Sequence, residues 1–349
     1  MRATVIHAAR DIRVEDVADP KVLTPTDAVV RVVAACVCGS DLWPYRGVSP
    51  TEEPHRIGHE FVGVVEDVGA DVATLNVGDF VIAPFALSDN TCVHCRNGVH
   101  TSCASGAWWG GEDVDGLPID AGQGEAVRVP MADGTLVATP AKADDSLLAS
   151  LLTLSDVMGT GHHAAVSAGV RPGSTVVVVG DGAVGQCGVI AARRLGAERV
   201  VMMSRHADRQ ALARDFGATD IVEARGDDGV AEVEELLGGV GADAVLECVG
   251  TKESMQQAID AARPGGRVGY VGVPVGGAEL PIGQLFSSNV SVGGGVAPVR
   301  AYIPELLDDV IAGTIDPGRV FDLVLPLEQA AEAYAAMDER RSIKTMLRP

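Results

Sequence analysis

Two side chains near the start of the sequence, Cys38 and His59, have the chemistry of metal ligands. A catalytic zinc ion needs three protein ligands, for which thiolates and imidazoles are suited, and an open fourth position. Asp41 is well placed to orient the His59 ring, because metal-binding histidines commonly donate their second ring N–H to a carboxylate. Each residue alone has an ordinary explanation, since buried cysteines and structural histidines are common. Their combination makes a catalytic zinc site a hypothesis that still requires a third ligand.

A loop between residues 89 and 103 carries the strongest metal signal in the chain. Its three cysteines have the spacing C-x2-C-x7-C, which can surround one tetrahedral ion, and an aspartate precedes them at the same x2 spacing. A loop this polar has little other means of ordering itself. The alternative is a set of free thiols without a metal. We predict a structural zinc site, with His94 or His100 as substitutes for the aspartate, and its ligands are Asp89, Cys92, Cys95 and Cys103.

A glycine-rich turn follows the β-branched run Thr175–Val179, and a helical pattern follows the turn. A run without a polar face is typical of a strand buried on both sides in a parallel sheet. In this context Gly180 permits a tight turn, Gly182 lets the backbone approach a pyrophosphate, and Gly185 lets helix and strand pack closely. The helix N-terminus would then bind the pyrophosphate. The predicted dinucleotide contacts in this turn are Gly180, Gly182, Ala183, Val184 and Gly185.

The residues after the second predicted strand bear on the choice of dinucleotide. Sites for NAD usually place an acid there to bind the ribose 2′-hydroxyl, but this chain has Ser204 and Arg205. Ser204 can donate a hydrogen bond to a 2′-phosphate, and Arg205 a charge-assisted one, with help from Arg209. The alternative is that Arg205 is only a solvated residue and that the cofactor is NAD. We predict a preference for NADP.

The bulk properties of the 349 residues exclude several classes of protein. The length suggests two domains. A net charge of −21 argues against nucleic acid as a partner, and no window has the roughly 18 apolar residues of a membrane span. The seven cysteines are typical of metal chemistry rather than of disulfides. Because the N-terminus lacks the features of a signal peptide, we expect a cytoplasmic protein.

The expected elements form two kinds of structure. Short strands before about Val81, clearest at Ala28–Ala34 and Phe61–Val68, indicate a small all-β body. From Ser174 onward, strands and helices alternate as in a doubly wound parallel sheet. Ser146–Ala168 is expected to be helical, and its Asp156 is either a helix cap or a metal ligand. The predicted strands of the sheet are Val176–Val179, Val200–Met203, Ala244–Glu247, Arg267–Val271 and Val290–Gly293.

Taken together, the motifs resemble those of the zinc-dependent alcohol dehydrogenases of the medium-chain dehydrogenase/reductase superfamily. They follow that family's order along the chain: Cys38–Asp41, Gly58–Glu60, the cysteine loop, Thr160-Gly161 and Gly180–Gly185. The resemblance implies an α/β protein in which a Rossmann domain is inserted in a β-rich GroES-like catalytic domain. The implied boundaries are residues 1–157 and 298–349 for the catalytic domain and 158–297 for the Rossmann domain.

The resemblance also implies roles for individual residues. Asp156 is the third ligand of the catalytic zinc, Ser40 takes the proton of the alcohol, and Glu60 can join or leave the metal. Lys344 meets the cofactor pyrophosphate. Two residues depart from the family pattern: Trp43 replaces a relay histidine, so the proton leaves Ser40 through ribose hydroxyls and water, and Asp89 replaces a cysteine. Further cofactor contacts are assigned to Val249, Val271 and Val273, and the substrate pocket to Trp43, Phe85 and Trp109.

We therefore expect a zinc-dependent oxidoreductase that transfers a hydride between NADP(H) and an alcohol/carbonyl pair. The alternative within the superfamily is a polyol, threonine or formaldehyde dehydrogenase, for which NAD is an alternative cofactor. A zinc-free quinone or enoyl reductase is disfavoured by the metal ligands, and a non-enzymatic crystallin-like protein by the complete catalytic set. The expected partners are a small alcohol, aldehyde or ketone and further copies of the chain, as a dimer or tetramer.

Overall fold

The computed structural model describes residues 1–140, 146–274 and 279–349, and the chain forms two units. The first comprises Met1–Asp156 and Pro298–Pro349, and the second Val157–Ala297. The first unit begins with ten strands: β1 (Arg2–Ala8), β2 (Asp11–Asp16), β3 (Ala28–Cys36), β4 (His55–Arg56), β5 (Phe61–Val68), β6 (Phe80–Ala83), β7 (Ala86–Leu87), β8 (Ala107–Trp108), β9 (Ala126–Val129) and β10 (Val137–Ala138). Its short helices here are α1 (Leu42–Arg46), α2 (Val93–Arg96), α3 (Ala132–Thr135) and α4 (Leu148–Thr153), with a 3₁₀ turn at His100–Ser102.

The second unit alternates helices and strands: α5 (Val157–Ser167), β11 (Thr175–Val179), α6 (Ala183–Arg194), β12 (Arg199–Met203), α7 (Ala207–Asp215), β13 (Asp220–Val222), α8 (Gly226–Leu236), β14 (Ala242–Glu247), α9 (Lys252–Ala261), β15 (Ala262–Tyr270), α10 (Ile282–Ser288) and β16 (Ser291–Gly294). Its sheet is parallel, in the order β13-β12-β11-β14-β15-β16. That order, with two halves wound outward from β11, is the Rossmann arrangement. The predicted fold class is confirmed.

The chain then returns to the first unit through α11 (Val299–Ile311), β17 (Phe321–Pro326), α12 (Ala330–Asp338) and β18 (Lys344–Arg348), with 3₁₀ turns at Pro317–Val320 and Leu327–Gln329. Strand β18 pairs with β17 in parallel and with β3 in antiparallel register, through Met346 with Cys36 and Leu347 with Ala35. The sheet runs β10-β6-β5-β3-β18-β17, and β9 also pairs with β3. The end of the chain therefore lies beside the strand that leads to Cys38.

Buried groups hold each unit together around its sheet. In the first unit the Arg128 guanidinium binds the Asp27 carboxylate, with Nε and Oδ2 2.7 Å apart, and both side chains are buried. A buried ion pair of this kind is costly to break from one side, because an unpaired charge remains. In the second unit Val176, Val177 and Val178 of β11 have no exposed surface. Their continuous apolar run follows from helices covering both faces of the sheet.

The helical pattern predicted over Ser146–Ala168 is interrupted in the structure. Helix α4 ends at Thr153, and α5 begins at Val157. Between them the Ser155 hydroxyl donates to the carbonyl oxygen of Leu152, 2.6 Å away, while the Ser155 carbonyl accepts the N–H of Phe85. Such local bonds compete with helix continuation, and they leave Asp156 in a break between helices. No helix in the described ranges is both long and apolar enough to cross a membrane.

Candidate active site and cofactor site

Four side chains of the first unit form a group that could hold a metal ion: Cys38, His59, Glu60 and Asp156. Each offers one ligand atom, and these atoms all lie within 4.8 Å of one another. Asp156 Oδ2 lies 3.7 Å from Cys38 Sγ and 3.6 Å from His59 Nε2. One sulfur, one nitrogen and carboxylate oxygens are a donor set that zinc accepts in catalytic sites. The chemistry of the group therefore fits zinc, with Asp156 beside the two ligands expected from the residues alone.

Asp41 supports this group from behind the His59 ring. Its Oδ1 lies 3.3 Å from His59 Nδ1, and its Oδ2 accepts the Cys38 backbone N–H at 2.9 Å. Burial disfavours the charged imidazole, but the surrounding Asp41, Cys38 and Asp156 outweigh it, so that the pKa of His59 in the metal-free chain lies well above its ordinary value. The same contacts orient Nε2 towards Asp156. A carboxylate that fixes the ring in this way raises the basicity of a metal-binding histidine.

Gln123 binds to Asp41 and Tyr334 binds to Gln123, and no role is predicted for either residue from the sequence. Gln123 Nε2 donates to Asp41 Oδ2 at 3.2 Å and to the Cys36 carbonyl at 3.1 Å. Its Oε1 accepts the hydroxyl of Tyr334 at 3.0 Å, and both side chains are fully buried. A buried amide without such partners would be costly. The sequence signal for Gln123 is a polar residue between two glycines, which predicts little without the structure.

The cysteine loop forms a second group of possible metal ligands: Asp89, Cys92, Cys95 and Cys103. The Sγ atom of Cys92 lies 3.6 Å from that of Cys95 and 3.9 Å from that of Cys103. Backbone N–H groups of Cys95 and Ala104 point to Cys92 Sγ, and that of Asp89 points to Cys103 Sγ. Three sulfurs and one carboxylate at this spacing fit a tetrahedral zinc ion. The predicted ligands are thus brought together.

The charges of this second group differ from ligand to ligand. Backbone N–H groups, first that of Ala104, lower the pKa of Cys92 to about 7, whereas burial raises the pKa of Cys95. Burial also opposes the charged form of Asp89, but N–H bonds from Thr91 and Cys92 outweigh it and hold its pKa below the ordinary value. His94 and His100, the predicted substitutes, are not in the group, and His100 Nε2 is 2.8 Å from Asn90 Oδ1.

The glycine turn of the second unit has the geometry expected for a pyrophosphate site. Gly180 has a φ of +111°, which favours glycine, and a Cβ at Gly185 would lie 1.8 Å from the Gly180 carbonyl oxygen. At Gly182, which caps α6, a Cβ would meet nothing within 4 Å. Among the described residues nothing crowds this position, and the free N–H groups of the helix N-terminus can bind an anion. Val249, Val271 and Val273 follow strands β14 and β15 at this same edge of the sheet.

Comparison with known proteins agrees with this arrangement. Residues 24–141 match the model of the alcohol dehydrogenase GroES-like domain, and residues 183–312 match that of the zinc-binding dehydrogenase. A probable zinc-binding alcohol dehydrogenase of Mycobacterium tuberculosis is 35% identical over 352 residues, covering 100% of this chain and 89% of that protein. The chain belongs to the zinc-dependent alcohol dehydrogenase family.

Two further relatives show how far the likeness extends within this family. The solved structure of an alcohol dehydrogenase from Thermus sp. ATN1 superimposes with a TM-score of 0.90 at 32% identity, covering 100% of this chain and 99% of that chain. A formaldehyde dismutase of Pseudomonas putida is 28% identical, covering 100% of this chain and 97% of that protein. The protein is therefore an oxidoreductase of the zinc-type alcohol dehydrogenases, a family that acts on small alcohols and aldehydes with zinc and a nicotinamide cofactor.

Lys344, expected at the cofactor pyrophosphate, has a different partner in this family member. Its ammonium group is buried in the first unit, where Nζ lies 2.7 Å from Glu60 Oε1 and 3.2 Å from the Val37 carbonyl oxygen. The Cys36 thiol donates to Glu60 Oε2 at 3.2 Å. Both carboxylate oxygens of Glu60 are thus engaged. The ammonium group is held there because a buried carboxylate without a countercharge would be strongly destabilising.

One of the predicted pocket residues is buried among core side chains of the first unit. Trp109 is a core residue: its ring packs edge-on against Phe61 at 4.9 Å, and its Nε1 donates to the Pro84 carbonyl. Its neighbour Trp108 is 52% exposed and stacks on Phe85 at 6.0 Å, and Phe85 in turn meets the His59 ring at 6.4 Å. Successive side chains of an extended segment point to opposite faces, so Trp108 is exposed while Trp109 is buried.

The remaining predicted pocket residue and the proton carrier lie next to each other in the chain. Trp43 is half-buried on α1, and its backbone N–H donates to the Ser40 carbonyl at 3.1 Å. Ser40 is half-buried in the turn between Cys38 and α1. The short helix therefore fixes the backbone that carries both side chains near Cys38.

Two of the residues predicted to bind a 2′-phosphate, Ser204 and Arg209, bind Asp181 instead, a residue for which no role is predicted from the sequence. Asp181, within the glycine turn, accepts a hydrogen bond from Ser204 Oγ at 2.7 Å and an ion pair from Arg209 Nη1 at 3.1 Å. Arg205 is exposed. In the sequence, Asp181 lies between two glycines of the turn, and nothing in the neighbouring residues indicates that its side chain reaches the end of the next strand.

Proposed function

We propose that the enzyme interconverts an alcohol and its carbonyl compound with NADP(H), at a zinc ion held by Cys38, His59 and Asp156. The observation that carries the proposal is the convergence of these three ligand atoms, with Asp41 behind the histidine ring. Bound there, zinc would polarise the C–O bond as a Lewis acid, and the nicotinamide would exchange a hydride with the carbon.

The surrounding residues carry the other roles. Asp41 and Gln123 hold the His59 ring in one orientation, which keeps the ligand geometry fixed. Ser40 Oγ accepts the proton of the substrate hydroxyl and passes its own proton on. Glu60 has Lys344 on one oxygen and Cys36 on the other, so it would join a bound zinc ion only by giving up one of these contacts, and it is not needed as a base.

We propose NADP as the preferred cofactor. Support comes from the end of β12, where Ser204 stands in place of the acid that binds the ribose in NAD sites, and from the exposed Arg205 beside it. The Asp181 carboxylate that binds Ser204 opposes this preference. The ratio of kcat/KM for NADPH to that for NADH tests the preference directly, and a ratio below one would overturn it. Arg205→Glu is expected to reduce kcat/KM for NADPH selectively, whereas Arg214→Glu, an exposed arginine at the end of α7, is the matched control.

The substrate is proposed to be a primary or secondary alcohol, or the corresponding aldehyde or ketone, with an apolar substituent. Phe85 and Trp108 support this, because their stacked rings offer an apolar wall beside His59. A formaldehyde-converting activity is the second candidate, favoured by the full-length likeness to formaldehyde dismutase. Trp108→Ala separates the two, since it should raise KM for larger alcohols and leave that for formaldehyde nearly unchanged.

The experiment that tests the function is an activity screen combined with metal analysis. Primary alcohols, secondary alcohols, polyols and aldehydes are assayed with both nicotinamide cofactors before and after chelation. Activity on one of these classes that disappears with the metal and returns with zinc is the expected result. Full activity in a protein that contains no zinc would overturn the mechanism.

We also propose that the chain forms a homo-oligomer, a dimer or a tetramer. Support lies in the second unit, where β16 is at an edge of the sheet and Ile282 and Phe286 of α10 are 67% and 85% exposed. An uncovered strand edge beside apolar side chains is typical of an association surface. Light scattering on the purified protein is expected to give a multiple of 36.0 kDa, and Phe286→Lys to shift the mass downward. A monomeric wild type would contradict the proposal.

A further inference from the structure

The Asp181 carboxylate uses both of its oxygens within the second unit. Ser204 Oγ donates to Oδ2, and Arg209 Nη1 pairs with Oδ1. Asp181 is 8% exposed and Arg209 9% exposed, so this ion pair is screened much less than a surface pair would be.

The sheet places this carboxylate where a dinucleotide carries its adenosine ribose. Strands β11 and β12 run in parallel register up to Val179 and Met203. Asp181 and Ser204 therefore follow the ends of adjacent strands at the carboxyl edge of the sheet. An acid at the end of the second strand binds the ribose 2′-hydroxyl in ordinary NAD sites. In this chain Ser204 occupies the position of that acid after β12. The carboxylate is instead Asp181, in the turn after β11, and it accepts a hydrogen bond from Ser204.

Neighbouring side chains hold the arrangement in place. Gln186 Nε2 donates to the Arg209 carbonyl at 2.9 Å, and Gln210 Nε2 donates to the Ser204 carbonyl at 3.0 Å. The backbones of both Asp181 partners are thus fixed by buried amides. The Ser204 hydroxyl has one proton to donate, so it can bind another anion only after losing its bond to Asp181, and Arg209 Nη1 is engaged in the same way.

A 2′-phosphate would compete with Asp181 for the same two donors. The phosphate needs hydroxyl and guanidinium donors, and Asp181 occupies one of each. Its own negative charge adds repulsion, because like charges brought together without water cost free energy. Arg205, which is exposed, is the cation of this segment that remains available to the phosphate.

We propose that Asp181 is the residue that limits discrimination between NADP and NAD. This inference rests on the proposed NADP-linked function. Asp181 keeps Ser204 and Arg209 engaged, so that they do not bind the 2′-phosphate of NADP, and Arg205 makes the contact to that phosphate instead. Removing the charge at residue 181 releases both donors, so the preference for a 2′-phosphate increases.

Calorimetric titration of the full-length enzyme with 2′,5′-ADP and with 5′-AMP tests the proposal without turnover. Asp181→Asn preserves the size of the side chain and removes its charge. We expect the Kd for 5′-AMP divided by that for 2′,5′-ADP to rise about tenfold over the wild type, and the rise to shrink in high salt. Adding Arg209→Gln to Asp181→Asn is expected to abolish the gain.

The outcomes separate this inference from the proposed cofactor. In the wild type, a Kd for 5′-AMP smaller than the Kd for 2′,5′-ADP would contradict the NADP preference, whatever the variants show. An Asp181→Asn ratio equal to or below that of the wild type would overturn the role of Asp181, even if NADP is preferred. Thermal unfolding of each variant checks folding, and Asp181→Ser, which cannot carry a charge either, must show the same direction of change.

Discussion

Cys38, His59 and Asp156 come from three separate segments of the first unit, whereas the second group takes all its ligand atoms from residues 89–103. The first group depends on β3, β5 and the break after α4 to meet, and on Tyr334 near the end of the chain for support. The second depends on a loop whose own N–H groups point to its sulfurs. One site is therefore a product of the whole unit, and the other is a local structure. Substitutions in the first group should therefore reduce catalysis, and substitutions in the cysteine loop should reduce stability.

The largest effect is expected at Cys38. Cys38→Ser removes the thiolate, and because zinc supplies several kcal/mol of transition-state stabilisation, kcat/KM should fall about 1000-fold. Cys36→Ser is the matched control, since the same exchange two residues earlier keeps a donor for Glu60. It should lose less than about tenfold. Steady-state kinetics with zinc analysis measures both, and equal losses in the two variants would show that Cys38 is not a ligand.

A smaller effect is expected behind the ligands. Gln123→Leu removes the donor to Asp41 and leaves the Tyr334 hydroxyl without its acceptor. Losses of about 10- to 100-fold in activity or zinc affinity are typical of such supporting positions. Tyr334→Phe removes only the hydrogen bond between the Tyr334 hydroxyl and Gln123, so its loss of activity and zinc affinity should be several-fold smaller. Competition with a chelator gives the zinc affinity, and an unchanged affinity in Gln123→Leu would mean that the network does not orient His59.

The cysteine loop should respond in stability rather than in rate. Cys95→Ser removes one ligand of the second group, so one zinc per chain should be lost and Tm should fall by roughly 5–10 °C. Well below that Tm, kcat should stay within about twofold of the wild type, because the catalytic ligands lie elsewhere. Calorimetry and zinc analysis test this. A loss of kcat like that of Cys38→Ser would erase the distinction between the two groups.

The smallest effect distinguishes the thiols within the loop. In the zinc-stripped protein, Cys92, with a pKa of about 7, should become several-fold more reactive towards iodoacetamide between pH 6 and pH 7.5. The reactivity rises with pH because the thiolate is the nucleophile. Cys95, whose pKa is raised by burial, should stay slow over that range. Peptide mass spectrometry reads each site, and adding zinc should protect both.

Features built from one continuous stretch could be predicted from the sequence, whereas contacts between residues far apart in the chain could not. The β11 run, the glycine turn and the cysteine loop are continuous stretches whose spacing reflects their geometry, so each was predictable. Asp156 was ambiguous from its own surroundings, because its partners are far away in the chain, and only the family resemblance made it a ligand. Gln123 gave almost no signal, since its donors and acceptors come from three other segments.

Two further features could not be predicted, for specific physical reasons. Trp108 and Trp109 differ by one position in an extended segment, and composition cannot tell which of two neighbouring tryptophans faces the core. Asp181 was read as part of a turn, although its side chain crosses to the next strand. In both cases the missing information is the direction of a side chain, which depends on packing that the local pattern does not contain.

The pairing of β18 with β3 has a consequence for biosynthesis. Tyr334 and Lys344, which hold Gln123 and Glu60, leave the ribosome long after the strands they support. The second unit is one continuous segment, Val157–Ala297, so its core is complete before those residues exist. Because domains fold as units during synthesis, the nucleotide-binding segment is expected to fold first. The nascent catalytic segment must then wait, with its thiols unburied, for the last strand of the chain.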